Sequence, residues 1–355
     1  MPASPRRDPP GAVVPVGLSA SPDAQVCGFG SVALADDDPF GVQHIPAGLR
    51  RAALDWADAQ MLASPDEQVR AAALLIGARS REGEAVQRID RLARLAAGTR
   101  DAAVYAMAIE GCRALRADEA GACQLLNRAQ WARLDPDNAV PWLELAAEAH
   151  EQQQGSAEAE AMYRAALARR SEMPAGLLPR LVERALGGQP HSLGLTLALS
   201  ASWSVQAAWS LPPADQAYRY CAGDALEQPG RQTVCAALAD TLAYRGSSVL
   251  DLAVAAALAH QLHWPEQRLR ALQHERDALS DASRFQAAAL DLSCESVDRL
   301  QGWMQRLGQG GELQAARALV LASGTPIEEW SRQHRVNIEL ATATAQAVAA
   351  SAAGP

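Results

Sequence analysis

Apolar positions follow a helical period through most of this chain. From about residue 47 onward, nearly every segment carries apolar residues three or four positions apart, which is the spacing along one face of an α-helix. The pattern predicts helices over 47–62, 65–79, 82–96, 99–116, 118–134, 139–153, 156–170, 175–186, 191–208, 212–226, 231–245, 248–262, 265–279, 281–291, 294–307 and 311–322, with a last helix from 326 to about 346.

The residues between these segments support the predicted boundaries. Ser64-Pro65 and Thr325-Pro326 each place a capping hydroxyl before a proline of the first helical turn. Gln228-Pro229-Gly230 and the segment 307–311 (LGQGG) are helix breakers with turn chemistry. The turn at Gln228-Pro229-Gly230 is short, so we expect the helices on either side to run antiparallel as a hairpin.

The composition also favours helices over strands. Alanine and leucine are abundant, aromatic residues make up only 5% of the chain, and valine and isoleucine are sparse. Alanine and leucine are strong helix formers, whereas β-branched and aromatic residues favour strands. We therefore predict an all-α fold.

One stretch combines a helix end, an aromatic helix start, a tight turn and a return helix with small residues at its contacts. Its residues, in order, are Asp135-Pro136-Asp137-Asn138, Trp142, Leu145-Ala146, Gly155, Ala159, Tyr163 and Ala166. This stretch resembles a tetratricopeptide repeat (TPR), a helix-turn-helix unit of about 34 residues. The match is good over 139–170 and fair over 101–138, where Trp131 replaces a small residue, and it is poor beyond.

The resemblance implies a fold and a class of partner. The fold is a right-handed α-α superhelix, or solenoid, in which antiparallel helical hairpins stack on their neighbours. The partner is a protein or peptide bound on the concave face. The resemblance does not identify the residues that bind it, and a helical hairpin without any ligand groove stays an alternative.

The chain divides into four expected regions. Residues 1–46 are rich in proline and glycine, so we expect a flexible arm in which Val26–Gly30 lies as a short extended piece against the body. We expect TPR-like repeats over 47–186, a second array of helical hairpins over 187–346, and a disordered tail over 347–355.

Four of the six cysteines are placed symmetrically about predicted turns. Cys112 and Cys123 flank the predicted turn at Ala117-Asp118 at similar distances, and Cys221 and Cys235 flank the turn at Pro229. Antiparallel helices carry such pairs at equal height, which can bring the α-carbons within the roughly 4.4 to 6.8 Å that a disulfide requires. Disulfides are therefore predicted, with small buried thiols in tight helix contacts as the alternative.

Elimination then pairs the remaining cysteines, Cys27 and Cys294. Disulfides persist in oxidising compartments, so we expect a periplasmic or cell-surface location in a Gram-negative bacterium, with the cytoplasm as the alternative. The N-terminal residues lack the apolar core of a signal peptide, and we expect any targeting segment to lie upstream of Met1. No apolar run reaches the roughly 18 to 20 residues of a transmembrane helix.

The charged residues exclude several classes of function. All 32 basic residues are arginine, so no lysine can form a Schiff base or hold a phosphate in a GxxxxGK loop. The net charge is −9, which argues against nucleic acid as a partner because its binding needs clustered positive charge.

Candidate ligands for a metal or a catalytic site are densest at His260, His263 and His274, with Glu266 and Glu275 close by in the chain. Their spacing is not that of an HExxH motif. Ordinary histidines near helix ends are the favoured interpretation, and we predict no metal, no cofactor and no catalytic residue. A pocket for an enzyme or a small ligand in this region is the alternative.

The eight tryptophans are spread through the predicted hairpins, and we expect most of them to pack one hairpin onto the next. A subset lining a groove would serve as binding anchors. The leading hypothesis is a non-enzymatic helical scaffold for protein or peptide interaction.

Overall fold

The computed structural model of the protein describes residues 23–33, 42–81, 83–115, 119, 121–174, 176–188, 191–209, 212–288 and 291–352. These residues form fifteen α-helices and one two-stranded sheet. The helices are α1 (Ala47–Leu62), α2 (Glu67–Ser80), α3 (Ala85–Gly98), α4 (Ala102–Arg113), α5 (Arg128–Leu134), α6 (Ala139–Glu151), α7 (Gly155–Ala166), α8 (Leu177–Leu186), α9 (Leu193–Ala207), α10 (Pro212–Tyr220), α11 (Arg231–Arg245), α12 (Val249–Gln261), α13 (Glu266–Ala288), α14 (Cys294–Ser323) and α15 (Ile327–Ala352).

The expected all-α fold is confirmed, and the helices pack mainly as sequential pairs. Helix α6 packs on α7, α8 on α9, and α11 on α12, each across a short connection. Asp66 and Asp101 show why two of the first helices begin where they do. Each carboxylate accepts hydrogen bonds from the backbone N–H groups two and three residues on, which would otherwise lack a partner in the first helical turn.

In three segments of the chain the predicted helices differ from those in the structure. The segment 118–134 contains a 3-10 turn at Gly121–Leu125 followed by the short α5, because Asn127 is extended and caps a new helix through Gln130 N–H. The segment 212–226 ends its α-helix at Tyr220. The two helices predicted over 265–291 are one, α13, because neither glycine nor proline interrupts this segment.

Partly buried ion pairs join α2 to α4 and α4 to α6. Arg79 on α2 contacts Glu110 on α4 at 3.4 Å, and Arg113 on α4 contacts Glu144 on α6 at 2.8 Å. The two arginines are 34 residues apart, as are the two glutamates. Equivalent positions on α4 and α6 are therefore separated by the length of the expected repeat.

Backbone hydrogen bonds connect residues at or near helix ends that are far apart in the chain. Ala139 N–H donates to Arg170 O at 2.9 Å, and Ser171 N–H donates to Arg245 O at 2.9 Å. Leu313 N–H then donates to Ser247 O at 3.0 Å. These bonds line up the starts of α6, α12 and the second part of α14 along one side of the molecule.

Two large apolar cores are present among the described residues. The first draws on α1 to α4, α8, α9 and the first part of α14, and the second draws on α6, α7 and α10 to α13 with the second part of α14. Both cores therefore take helices from either side of residue 186. Helix α14 crosses between them, and its helical geometry is interrupted at Gly310 and Gly311.

The segment Val26–Gly30, which we expect to be extended, instead contains the turn of a β-hairpin, and the strands lie on either side of that turn. Strand β1 (Asp23–Val26) pairs antiparallel with β2 (Gly30–Ala33). Cys27 N–H donates to Leu292 O at 2.8 Å, which fastens the hairpin turn to the segment before α14. At the other end, α15 continues to Ala352, into the segment for which we expect disorder, as its alanine content allows.

Within the described part of the chain, no helix combines the length and apolar character needed to cross a bilayer.

Candidate functional site

A mainly apolar cavity lies where the two cores meet. Its volume is about 440 Å³, within the range of small-ligand sites. The lining residues are Met173, Pro174, Gly176, Trp203, Gln206, Ala207, Trp209, Ser248, Val249, Leu250, Ser283, Trp303, Leu307 and Glu312. We call this space the tryptophan cavity.

Three indole rings from separate positions form much of its wall. Trp203 lies on α9, Trp209 lies just beyond the end of α9, and Trp303 lies on α14. Trp209 and Trp303 are buried, whereas Trp203 is partly exposed. Three rigid aromatic surfaces around one opening are typical of a site that holds an apolar group.

A glycine permits close packing at the entrance to α8. Gly176 has φ +65°, in the left-handed region that favours glycine. A Cβ at this position would lie 2.6 Å from Leu307 Cδ1. Gly176 thus lets the start of α8 and α14 approach each other as walls of the cavity.

Glu312 is the acidic group of the tryptophan cavity. It follows the interruption at Gly310 and Gly311 and accepts a hydrogen bond from Val249 N–H at 3.0 Å. Burial raises the pKa of Glu312 above its ordinary value, and the nearby Asp251 carboxylate adds to this, while the Val249 N–H opposes it. The site therefore favours the protonated carboxyl more than water does.

Asp251 stabilises the start of α12, where Val249 hydrogen-bonds to Glu312. Burial raises its pKa, although its carboxylate accepts hydrogen bonds from the hydroxyls of Ser171 at 2.7 Å and Ser248 at 2.8 Å and from the backbone of Ser247 and Ser248. The Ser248 and Asp251 side chains form a capping box that fixes the start of α12.

A second cavity of about 330 Å³ adjoins the first and is more polar. Met173, Pro174 and Leu307 line both. The remaining residues of this polar cavity are Ala102, Ala103, Ala106, Trp131, Asp135, Asn138, Glu172, Leu177, Arg180, Ser247, Gly308, Gln309, Gly310 and Gly311.

The carboxylates and the arginine that line the polar cavity differ in their ion pairing. Asp135 and Glu172 both contact Arg170. Arg180 forms no salt bridge within the described residues, and its Nε donates only to Gly176 O at 3.3 Å. Gly308 gives it room, because a Cβ there would lie 3.3 Å from Arg180 Nη1.

The environment of Arg180 favours an anion. Burial lowers its pKa below the ordinary value, the Arg184 charge adds to this, and Glu172 opposes both. A guanidinium that has lost part of its hydration, and that no salt bridge within the described residues compensates, is stabilised by an anionic ligand. The two adjoining cavities can therefore hold an apolar group next to a negative charge.

The histidine-rich segment lies elsewhere. His260, His263 and His274 line neither the tryptophan cavity nor the polar cavity. Glu275 pairs with Arg317 at 2.8 Å on the surface, and Glu266 pairs with a residue of its own helix. The structure does not bring these five residues together as a set of metal ligands.

The six cysteines form the three pairs expected from the sequence: Cys27–Cys294, Cys112–Cys123 and Cys221–Cys235. Their Cα–Cα distances are 4.6, 5.8 and 5.7 Å, within the normal range for disulfides. Three disulfides are consistent with an oxidising compartment outside the cytoplasm.

Sequence reasoning missed Arg180 and Glu312 as members of a site. The LGQGG segment pointed to a break in the helix before Glu312, but not to the cavities on either side of that break. Three of the eight tryptophans line one cavity, as the groove hypothesis required of a subset.

No protein-family model, curated protein or solved structure matches this chain. The structure shows a mostly helical protein of paired helices with three disulfides, and the comparisons identify no family for it.

Proposed function

We propose that this protein is a non-enzymatic interaction scaffold that binds a peptide segment of a partner protein outside the cytoplasm. In this proposal its helical hairpins are TPR-like and stack as a right-handed superhelix. The 34-residue separation of the Arg79–Glu110 and Arg113–Glu144 ion pairs supports that arrangement.

The observation that carries the proposal is Arg180, which lies beside the tryptophan cavity and forms no salt bridge among the described residues. A peptide supplies both groups that the cavities favour: an apolar side chain for the indole rings, and an acidic side chain or terminal carboxylate for the guanidinium. Met173 and Leu307 form the shared wall, so the two groups must be near neighbours in the bound segment.

The test is a binding assay with an array of short peptides that pair an apolar or aromatic residue with a carboxylate one or two positions away. Binding is followed by the intrinsic fluorescence of the cavity tryptophans and measured by titration calorimetry. Arg180→Gln should weaken the best peptide by roughly 10- to 100-fold, since it removes a charge-assisted hydrogen bond worth about 1.5 to 3 kcal/mol.

Arg184→Gln is the matched control. Arg184 is one helical turn further along α8, lines neither cavity and pairs with Asp66 at 2.8 Å. This variant should bind the peptide like the unmodified protein. Failure of every peptide to bind, or equal losses in the two variants, would contradict the proposed site.

A further inference from the structure

The disulfide between Cys27 and Cys294 lies beside a histidine and an aspartate. Both sulfur atoms and one ring nitrogen of His191 lie within 4.8 Å of one another. The His191 Nε2 lies 3.2 Å from Asp298 Oδ1, at hydrogen-bond distance. A disulfide, an imidazole and a carboxylate thus occupy one place on the surface, away from the residues that line the tryptophan and polar cavities.

The backbone holds the histidine in this place. His191 has φ +61°, a left-handed conformation that few residues other than glycine adopt. The hairpin turn packs directly on it, because a Cβ at Gly28 would lie 2.7 Å from His191 O and 2.2 Å from Leu193 N. Such strained residues persist where the surrounding structure enforces them, often at functional sites.

The position of Cys294 favours a thiolate. It is the first residue of α14, after the cap formed by Ser293, so its sulfur lies at the positive end of the helix dipole. It is partly exposed, whereas Cys27 is 2% exposed. An incoming thiol can therefore reach the Cys294 sulfur more readily.

The charged groups around Cys294 have mixed signs. Glu295 and Asp298 lie on the same helix, and Asp291 lies just before it. Arg299 pairs with Glu295 at 2.9 Å and so offsets one of the three negative charges. The carboxylates disfavour a thiolate, which leaves the helix terminus and His191 as the groups that support it.

The other two disulfides lack this arrangement. Cys221 and Cys235 are both fully buried. Cys112 and Cys123 are partly exposed. Within the described residues, however, no histidine or carboxylate lies as close to both of their sulfur atoms as His191 lies to those of Cys27 and Cys294.

We propose that Cys27–Cys294 is a thiol–disulfide exchange site whose substrate is a dithiol, such as a pair of cysteines in a partner protein. One substrate thiolate attacks the Cys294 sulfur, the bond between the two cysteines breaks, and Cys27 leaves with the electron pair. His191 donates a proton to the Cys27 sulfur. The second substrate thiol gives its proton to the His191 imidazole and attacks the substrate sulfur of the mixed disulfide. Cys294 leaves with the electron pair and takes that proton, so the substrate is oxidised by two electrons and the protein gains two thiols.

The test is timed reduction of the full chain with dithiothreitol. Free thiols are trapped with N-ethylmaleimide, and each cysteine is then identified by peptide mass spectrometry. Cys27 and Cys294 should be reduced at least roughly 10-fold faster than Cys112 and Cys123. Equal or slower reduction of the Cys27–Cys294 pair would overturn the proposal.

A histidine variant separates exchange chemistry from mere exposure. His191→Asn, which tolerates the left-handed backbone, should slow reduction of Cys27–Cys294 by about 10-fold. His150→Asn is the matched control, because His150 is also exposed and bonds a carboxylate, Glu158, at 3.0 Å. An unchanged rate in the His191 variant, or an equal change in the control, would refute the role of His191.

A pH profile distinguishes this role from a structural one. In Cys27→Ser, the remaining Cys294 thiol is alkylated with iodoacetamide across the pH range, with circular dichroism to verify folding. The midpoint should lie below the value of about 8.5 for an ordinary thiol and should rise when His191→Asn is added. An ordinary midpoint that the second substitution does not move would overturn the proposal.

Discussion

Glu144 offers the sharpest test of how the paired helices are held together. The Glu144 side chain is on α6 and the residue is 4% exposed. Its carboxylate accepts hydrogen bonds from Arg113 Nη2 at 2.9 and 2.8 Å and from Arg128 Nε at 3.3 Å. Arg113 lies on α4 and Arg128 on α5, so a single carboxylate joins three helices.

Glu144→Gln keeps the shape of the side chain and removes its charge. Complete loss of one partner from a buried ion pair costs about 3 to 5 kcal/mol. Here Arg113 also pairs with Glu110, and Arg128 also pairs with Glu148. Because both guanidinium groups keep a second carboxylate and some contact with water, we expect a smaller loss of about 2 to 3 kcal/mol.

Glu148→Gln is the control, one turn along the same helix. Glu148 accepts one hydrogen bond, from Arg128 at 2.9 Å, and its side chain is 27% exposed. Exposed ion pairs contribute about 0.2 to 1 kcal/mol, so this variant should lose less than about 1 kcal/mol.

The assay is guanidinium denaturation followed by circular dichroism, with thermal melts repeated at about 1 M salt. Salt should reduce the difference between Glu148→Gln and the unmodified protein while leaving most of the Glu144→Gln effect, because buried charges are screened less. Equal destabilisation by the two substitutions would refute the view that the Glu144 carboxylate is a buried link between helices.

Three further predictions concern pH, a disulfide and a glycine. Burial raises the folded-state pKa of Glu312 above its unfolded value, so Glu312→Gln should be more stable than the unmodified protein near pH 8, and thermal melts should show this advantage shrinking as the pH falls toward about 5. Replacing Cys221 and Cys235 by alanine opens a loop with a sequence separation of 14 and should cost about 3 kcal/mol in denaturant unfolding. Gly28→Ala places a Cβ 2.2 Å from Leu193 N at φ +78°, so hydrogen exchange should show loss of protection in the β-hairpin.

Each of these predictions has its own contradicting result. A Glu312→Gln advantage that grew toward low pH would reverse the sign of the burial argument. Full stability of the alanine pair in place of Cys221 and Cys235 would mean that the crosslink does not restrain the unfolded chain. Gly48→Ala is the control for Gly28, because a Cβ at this helical position meets nothing within 4 Å and should preserve hairpin protection.

The pattern of apolar positions is enough to predict most of the helices and the class of fold. The apolar period predicted α1 and α11 at their observed bounds, because a helix forms from hydrogen bonds and side-chain contacts only a few residues apart. The same local geometry explains why Cys112–Cys123 and Cys221–Cys235 could be paired from their distances to a turn.

The positions of the candidate sites, in contrast, depend on contacts between residues that are far apart in the chain. Arg180 on α8 reaches Gly308 on α14, and His191 reaches Cys27 and Cys294, which are 267 residues apart in the chain. No local period encodes such contacts, since they depend on how whole helices pack and on where Gly310 and Gly311 interrupt α14. Local hydrogen bonding therefore specified the elements, while the long-range burial of apolar surface brought together the chemistry of the sites.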